Sequence, residues 1–444
     1  MKFEELSPAE RLIAEHAVLN LRTLNNACDM AADGTVLAIA EILAVEQARE
    51  LTRKTLQASI DAQVDSVEKK SSPARTCECG LKKAHHGRKV REQVTCAGEI
   101  HLSRIYLKCA RCSEGGYAAD DRLGVAGRYS TGAERLACLA AASWSYQVSS
   151  QRLDELCGIR IGENTIRDIA QRHGAMMNAW QNSDPDACRE YRETDGFTEF
   201  TTDGTCVNTL EGWREMKVGI FARRSAGDPA TADEWADRQL PSPAVSVAFA
   251  AIEASDRFGR RWKPWARRLG ILDTSNITVL ADGAKWIWEE QLTHLRGASG
   301  VLDIYHALQH IAETSRVLFG GGTDGAGAWL EEGRTILIAA GWSGISSFID
   351  VTRRPLRSPA KRESLDSLKA YLGSHFDHLN YADRLANGQS IGSGQIEGAC
   401  KNLIGRRLKQ TGARWRVRRV NRMAGLCANM YSKQWDSYWN SLLI

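Results

Sequence analysis

Phe197-Thr198-Glu199-Phe200-Thr201-Thr202-Asp203-Gly204-Thr205-Cys206-Val207-Asn208 is rich in β-branched and aromatic residues, the composition of a strand, and it carries Asp203 near its middle. Trp213 to Arg224 and Ala244 to Ile252 have the same character. Further on the period changes. Ser255 to Leu269 reads as helix, Asn276 to Leu280 as strand, Ala284 to Leu295 as helix and Val301 to Tyr305 as strand. Three strands followed by alternating helix and strand predict a mixed α/β sheet.

That order of elements matches a ribonuclease H-like layout, in which the first and fourth strands are neighbours. Ala281-Asp282-Gly283-Ala284 ends the fourth strand, so Asp282 is expected to face Asp203. An Asp-Gly pair usually marks a turn, and Asp195-Gly196 is a rival to Asp203-Gly204. Asp203 is preferred because strand-forming residues flank it on both sides, whereas Asp195 follows the polar run Arg189 to Thr194. Residues 307–390 read as an all-helical insertion with glycine breaks at Gly320-Gly321-Gly322 and Gly341.

After the insertion comes Ser393-Gly394-Gln395-Ile396-Glu397-Gly398-Ala399-Cys400-Lys401. At 100° per residue, Ile396, Ala399, Cys400, Leu403 and Ile404 form one apolar stripe with Glu397 at its edge. That position predicts a carboxylate facing a cleft rather than bulk water. Lys401, Arg406, Arg407, Lys409, Arg414, Arg416 and Arg418 follow, with no Asp or Glu from 401 to 422, as a surface for a polyanion requires. Three converging carboxylates, Asp203, Asp282 and Glu397, would repel one another unless a cation neutralised them. Mg²⁺, or Mn²⁺, suits such an oxygen set, and paired ions serve phosphodiester displacement. Asp303 and His306, at the end of the next strand, are possible accessories to the cleft. Trp286 and Trp288 read as packing residues beneath the sheet, the commoner role, or as platforms for a displaced base, and Lys285 as a solvated or phosphate-facing charge.

Towards the N-terminus the chain is helical over residues 8 to about 70, broken at Asp33-Gly34 and closed by a Ser71-Ser72-Pro73 linker. Cys77-Glu78-Cys79 and Cys109-Ala110-Arg111-Cys112 then bracket alternating, strand-like residues, so Cys77, Cys79, Cys109 and Cys112 are candidate ligands of a structural zinc in a ribbon-like hairpin. The one-residue gap in the first pair leaves His85, His86 and Cys96 as alternative ligands. Ser149 to Cys157 and Glu163 to His173, joined at Gly158, resemble a helix-turn-helix. The 444 residues carry a formal net charge of +4, too small to name a partner without the local clustering. Twelve cysteines without an apolar leader, and no run of ~18 apolar residues, predict a cytosolic chain with no membrane span.

Gly392 to Lys401, Arg407-Leu408-Lys409-Gln410-Thr411-Gly412-Ala413-Arg414-Trp415, Ala281 to Trp288, Asp303-Ile304-Tyr305-His306-Ala307, Trp435, Trp439 and Cys109 to Cys112 together resemble the ISKra-type insertion-sequence transposases, which are DDE enzymes on a ribonuclease H-like core. The first cysteine pair departs from that family's usual spacing. The resemblance implies Asp203, Asp282 and Glu397 as a metal-binding catalytic triad, double-stranded DNA (element ends and target) as partner, and a homodimer or higher oligomer acting at the nucleoid of a bacterial cytoplasm. The expected fold is a multidomain α+β chain. It comprises N-terminal helices (1–70), a cysteine ribbon (71–125), a helical DNA-binding region (126–190), the ribonuclease H-like core up to the insertion (191–306), the insertion itself (307–390), and a catalytic helix with a basic C-terminal region (391–444). Two rival readings are a domesticated zinc-containing DNA binder without catalysis and a ribonuclease H-like nuclease without strand transfer.

Overall fold

Ser7 begins the first helix with a reciprocal cap: its hydroxyl accepts the Glu10 N–H at 3.3 Å while its own N–H donates to the Glu10 carboxylate at 2.8 Å. The computed structural model describes residues 3–70 and 76–443, and the expected Ser71-Ser72-Pro73 linker lies outside them. The chain is mixed α+β and multidomain, with two sheets and two compact units, Met1–Ala170 and Gln171–Ile444.

In the first unit, α1 (Pro8–Asp29) and α2 (Val36–Lys69) form a hairpin that turns at Gly34, where φ is 82°. A three-stranded antiparallel sheet follows in the order β1 (Ala84–Thr95), β2 (Gly98–Lys108), β3 (Gly115–Tyr117). α2 covers the open edge of β2. The Gln57 side-chain amide exchanges two 2.8 Å hydrogen bonds with the main chain of His101, and Glu68 accepts the Ile105 N–H at 2.7 Å. The short α3 (Asp120–Leu123), then α4 (Thr131–Ser143) and α5 (Tyr146–Cys157), complete this unit. Gly158 ends α5 in the left-handed conformation, φ 67°.

The division between units falls within α6 (Glu163–Ser183). This helix runs ten residues beyond the expected end at His173, because Met177 and Trp180 still have core to pack on: Trp180 meets the Tyr438 ring at 5.8 Å, and Gln181 bonds Gln434 at 2.7 Å. After the short α7 (Arg189–Glu193) come β4 (Phe197–Thr209), β5 (Gly212–Arg224) and β6 (Val245–Ala251), then α8 (Ser255–Gly259), α9 (Trp262–Arg268), β7 (Ile277–Ala281), α10 (Lys285–His294) and β8 (Ser299–Leu302). The sheet order is β6-β5-β4-β7-β8, antiparallel from β6 to β4 and parallel from β4 to β8. The parallel half follows from its connections, since a helix carries the chain back between successive strands. Phe200, Phe221, Phe249, Trp262 and Trp265 fill one face, with Phe200 and Phe221 ring centroids 4.4 Å apart. The free edge of β6 is satisfied by side chains: Ala248 N–H donates to Ser432 at 2.9 Å and Ile252 N–H to Asn421 at 2.8 Å.

The strand expected to reach Tyr305 stops at Leu302. Asp303 instead accepts the His306 N–H at 3.0 Å and caps α11 (Ile304–Phe319). The insertion continues through α12 (Asp324–Arg353), α13 (Pro359–Gly373) and α14 (Tyr381–Ala386). By length and composition α12 alone among the described residues could cross a membrane; here it breaks at Gly341 and buries Trp329, Leu337, Ile338, Ile345 and Ile349. At Gly341, φ is 55° and a Cβ would come within 2.8 Å of the Leu379 carbonyl, so only glycine fits. The chain ends with α15 (Gly394–Ala399), a π turn over Cys400–Gly405, α16 (Arg406–Leu408), α17 (Val417–Tyr431) and α18 (Trp435–Ser441).

Candidate active site

β4 is longer than its parallel neighbour. β7 pairs with it only from Thr198 to Thr201, so Asp203 stands where that edge of β4 is open. The last register pair is Thr201 with Leu280, and Asp203 and Asp282 each lie two residues beyond it. Asp203 accepts the Gly204 N–H at 2.6 Å and Asp282 the Ala284 N–H at 2.9 Å, each through Oδ1. Among the described residues Oδ2 of each has no hydrogen-bond partner. Burial holds the Asp203 carboxyl above its ordinary range; the nearby Asp282 charge pushes the same way and His306 opposes it. Gly204 does not hold a turn conformation. Its φ is not positive, and a Cβ there would overlap the Glu215 carboxylate. Asp195, the rival, is exposed in the bend before β4, where Gly196 has φ 125°.

Glu397 is brought to the same strand by α15, which packs on β4. The stripe emerges as read, with Ile396, Ala399, Leu403 and Ile404 buried and Cys400 half-buried. The carboxylate itself does not face a cleft. Its side chain is 55% exposed and lies 3.8 Å from Lys401 one helical turn on. Asp203, Asp282 and Glu397 thus share a neighbourhood without closing on one point. Cys400 marks the gap, its buried thiol pushed up to about 12 by desolvation and by the charges of Asp203 and Glu397.

The basic run divides. Lys401, Arg406, Lys409, Arg414, Arg416 and Arg418 are exposed, and Lys409 donates to Thr205, two residues from Asp203. Arg407 is a correction to the sequence reading: it is buried, its guanidinium 4.9 Å from the Trp415 ring, and so it braces the fold rather than facing a phosphate. The sequence matches no known family profile and no curated protein.

Asp303 is also a brace. Buried, it caps α11 through Oδ1 and through Oδ2 accepts the N–H and, at 2.7 Å, the hydroxyl of Ser393, which fixes the start of the Glu397 helix. His306 stays half-buried beside Asp203. Trp286 packs against Trp262 and Phe258, and Trp288 stacks on His378 at 4.1 Å. Lys285 pairs with Glu289 at 3.2 Å.

Two neighbours of the site gave no signal in the sequence. Tyr371, from α13, stands where a Cβ on Gly283 would be 2.5 Å from its hydroxyl, and His310 lies 3.9 Å from its ring. Burial and the charges of Asp282 and Asp303 raise its phenol to about 12, so it remains neutral. Glu199, four residues before Asp203, is a buried carboxyl group held by Arg224 at 2.9 Å and by the Ser390 hydroxyl, while Arg384 donates to the Ser390 carbonyl at 2.6 Å. Contacts across such sequence separations leave no local pattern to read.

In the first unit, the Sγ atoms of Cys77, Cys79, Cys109 and Cys112 all lie within 4.8 Å of one another, with Cys77 to Cys112 at 3.2 Å and Cys79 to Cys109 at 3.6 Å. Tetrahedral Zn–S bonds of ~2.3 Å require sulfurs about 3.8 Å apart, so the set fits a structural zinc. The alternatives fall away: Cys96 sits in the turn at the far end of the hairpin, and His85 and His86 are exposed on β1. Main-chain N–H groups of Cys112 and Arg111 bring the Cys109 thiol down to about 6, whereas its hydrogen bond to the Glu114 carboxylate pushes the Cys77 thiol up to about 11.

Proposed function

We propose that this protein is a DDE-type DNA transposase with a ribonuclease H-like core, which cuts at the ends of its element and joins the freed 3′ hydroxyl to target DNA. The observation that carries the reading is the pairing of β4 with β7, which sets Asp203 and Asp282 at matching levels of adjacent parallel strands beside the helix bearing Glu397. The resemblance to ISKra-type transposases points the same way, as does the zinc-ribbon-like hairpin with its four cysteines.

Asp203 and Asp282 would hold the ions through oxygens not engaged by the main chain, with Glu397 as the third carboxylate. Bound Mg²⁺ supplies activation of the attacking oxygen and stabilisation of the leaving one. Lys409, held at Thr205, and the exposed arginines beyond it neutralise the backbone of the strand being cut. A phosphate that draws Lys401 away releases Glu397 towards the other two carboxylates. Zinc serves the ribbon alone, since four thiolates leave it no open position. Action on paired ends calls for a dimer or larger assembly in the bacterial cytoplasm.

The competing reading, a DNA binder that does not cut, is favoured by one observation: Glu397 is exposed and paired with Lys401. The deciding experiment incubates the full chain and Mg²⁺ with DNA flanking its own coding region. Asp203→Asn, Asp282→Asn and Glu397→Gln should each lower cleavage by on the order of 10²-fold or more while DNA binding persists. Binding without cleavage by the unaltered protein gives the case to the binder. Cleavage without joining of pre-cut ends to a plasmid gives it to a simple nuclease.

A further inference from the structure

The edge of β4 that β7 leaves open is occupied again further along. Trp415 N–H donates to the Asn208 carbonyl at 3.1 Å, and Leu210 N–H to the Trp415 carbonyl at 2.8 Å, so the segment around residue 415 lies beside the tip of the β4–β5 hairpin as a short parallel strand. On the other side Asn208 is paired with Trp213. Three strands therefore run side by side, about 4.8 Å apart.

The pleat sorts their side chains. Thr209 and its bridge partner Trp415 are both buried, with the Trp415 indole donating to the Leu408 carbonyl at 3.0 Å. Their neighbours in sequence, Asn208 on one strand and Arg414 and Arg416 on the other, leave from the opposite face, and Trp213 leaves with Asn208. Both arginines are exposed, and Trp213 is 68% exposed.

The turn does not demand an aromatic residue. Thr209 donates its hydroxyl to the Gly212 carbonyl at 2.6 Å and accepts the Glu211 N–H at 3.2 Å, with Gly212 at φ 95°. The β1–β2 hairpin closes in the same way: Thr95 bonds the Gly98 carbonyl at 2.7 Å and the Ala97 N–H at 3.1 Å, but there Glu99 follows the glycine. A hairpin tip that presents a large indole to water, with two exposed arginines on the same face two strand spacings away (about 10 Å), matches the two needs of unpaired nucleic acid, a face to stack on and cations for its phosphates.

We propose that this tip is a second DNA contact, in which Trp213 stacks on an unpaired base while Arg414 and Arg416 hold the adjoining phosphates. The ligand class rests on the DNA reading given above. Asn208 is five residues from Asp203, about 17 Å along the strand at ~3.4 Å per residue. Because 203 and 208 differ by an odd number, their side chains leave opposite faces of the ribbon. A single strand can cross its edge where a duplex cannot.

The test compares a duplex carrying a short single-stranded overhang with a blunt duplex of equal phosphate count, using the full chain. Trp213→Ala should weaken overhang binding about 5- to 100-fold, as loss of one stacked base does, with blunt binding and the salt dependence unchanged. Trp213→Phe should restore most of it, and 2-aminopurine in the overhang should be quenched by the unaltered protein but not by Trp213→Ala. Replacing Arg414 and Arg416 by Gln should flatten the salt dependence. Equal overhang binding by Trp213→Ala and the unaltered protein, or an unquenched probe, overturns the stacking contact and leaves the transposase reading standing. Failure of the unaltered protein to bind either DNA overturns both.

Discussion

Asp203 is held in an environment that disfavours its charge, and the cost appears in stability before it appears in catalysis. Its folded pKa is raised, first by burial and then by Asp282, above the ordinary 3.8. Below 3.8 the group is protonated in both folded and unfolded chains and contributes nothing. As pH rises through the folded value the unfolded chain ionises more readily, so stability is lost and stays lost at neutral pH. Asp203→Asn should therefore raise the Tm of the metal-free protein at pH 7 and leave it unchanged near pH 3, as read by thermal melts at both. Mg²⁺ should narrow the pH 7 difference, because the cation relieves only the unaltered chain. A Tm lowered by the substitution at pH 7 would mean that the carboxylate is a structural partner instead. Asp203 was legible in sequence because an Asp-Gly pair with strand-forming residues on both sides is conspicuous. Glu199 was not, since a carboxylate alternating with apolar residues looks solvated until Arg224 and Ser390 close over it. Arg407 misled for the converse reason: charge in a basic run implies exposure, and only the fold sets that side chain against Trp415.

At the scale of elements, periodicity carried the reading far. The stripe from Ile396 to Ile404 gave both the helix and its buried face, while the partner of Glu397, decided by a flexible side chain one turn away, was beyond its reach. The strand sequence was readable for the same reason, but its end at Leu302 was not, because an N-cap aspartate and a strand-terminal aspartate look alike before the helix is seen. The role of α13 was hidden altogether. It presses Tyr371 against Gly283, so the insertion supports the turn that aims Asp282. Gly283→Ala should place a methyl group against the Tyr371 hydroxyl and disturb that turn, weakening Mg²⁺-dependent cleavage about 10- to 100-fold, comparable with loss of an outer contact at a metal site. Tyr371→Ala, which removes the hydroxyl together with the ring carbons that crowd the same position, should recover part of the loss in the double variant. Titration of Mg²⁺ against cleavage rate measures both. Additive effects of the two substitutions would show that the contact does not couple the insertion to the site.

Across the whole molecule, the candidate sites are segregated: the four clustered cysteines lie in Met1–Ala170 and the three proposed site carboxylates in Gln171–Ile444. The ribbon is not held by its cysteines alone. Ile100, Leu102 and Leu107 are buried, and Arg104, fully buried, pairs with Asp120 and lies 4.0 Å from the Tyr117 ring. Removing a structural zinc should therefore loosen one end of the hairpin rather than the entire unit. With chelator added to the full chain, hydrogen exchange should quicken at residues 77–82 and 108–114, where the four sulfurs meet, and change little at the Thr95–Gly98 turn, which its own hydrogen bonds and the packing of β1 and β2 maintain. Protection in β4, β5 and β7 should be unaffected, because none of the four clustered cysteines lies in those strands. Cys109→Ser should reproduce the pattern without chelator and abolish stoichiometric zinc measured by elemental analysis. Collapse of protection throughout β1 and β2 would show that the buried apolar and Arg104 contacts are too weak to hold the hairpin. Exchange indifferent to chelator in a zinc-loaded preparation would show that the metal is held elsewhere.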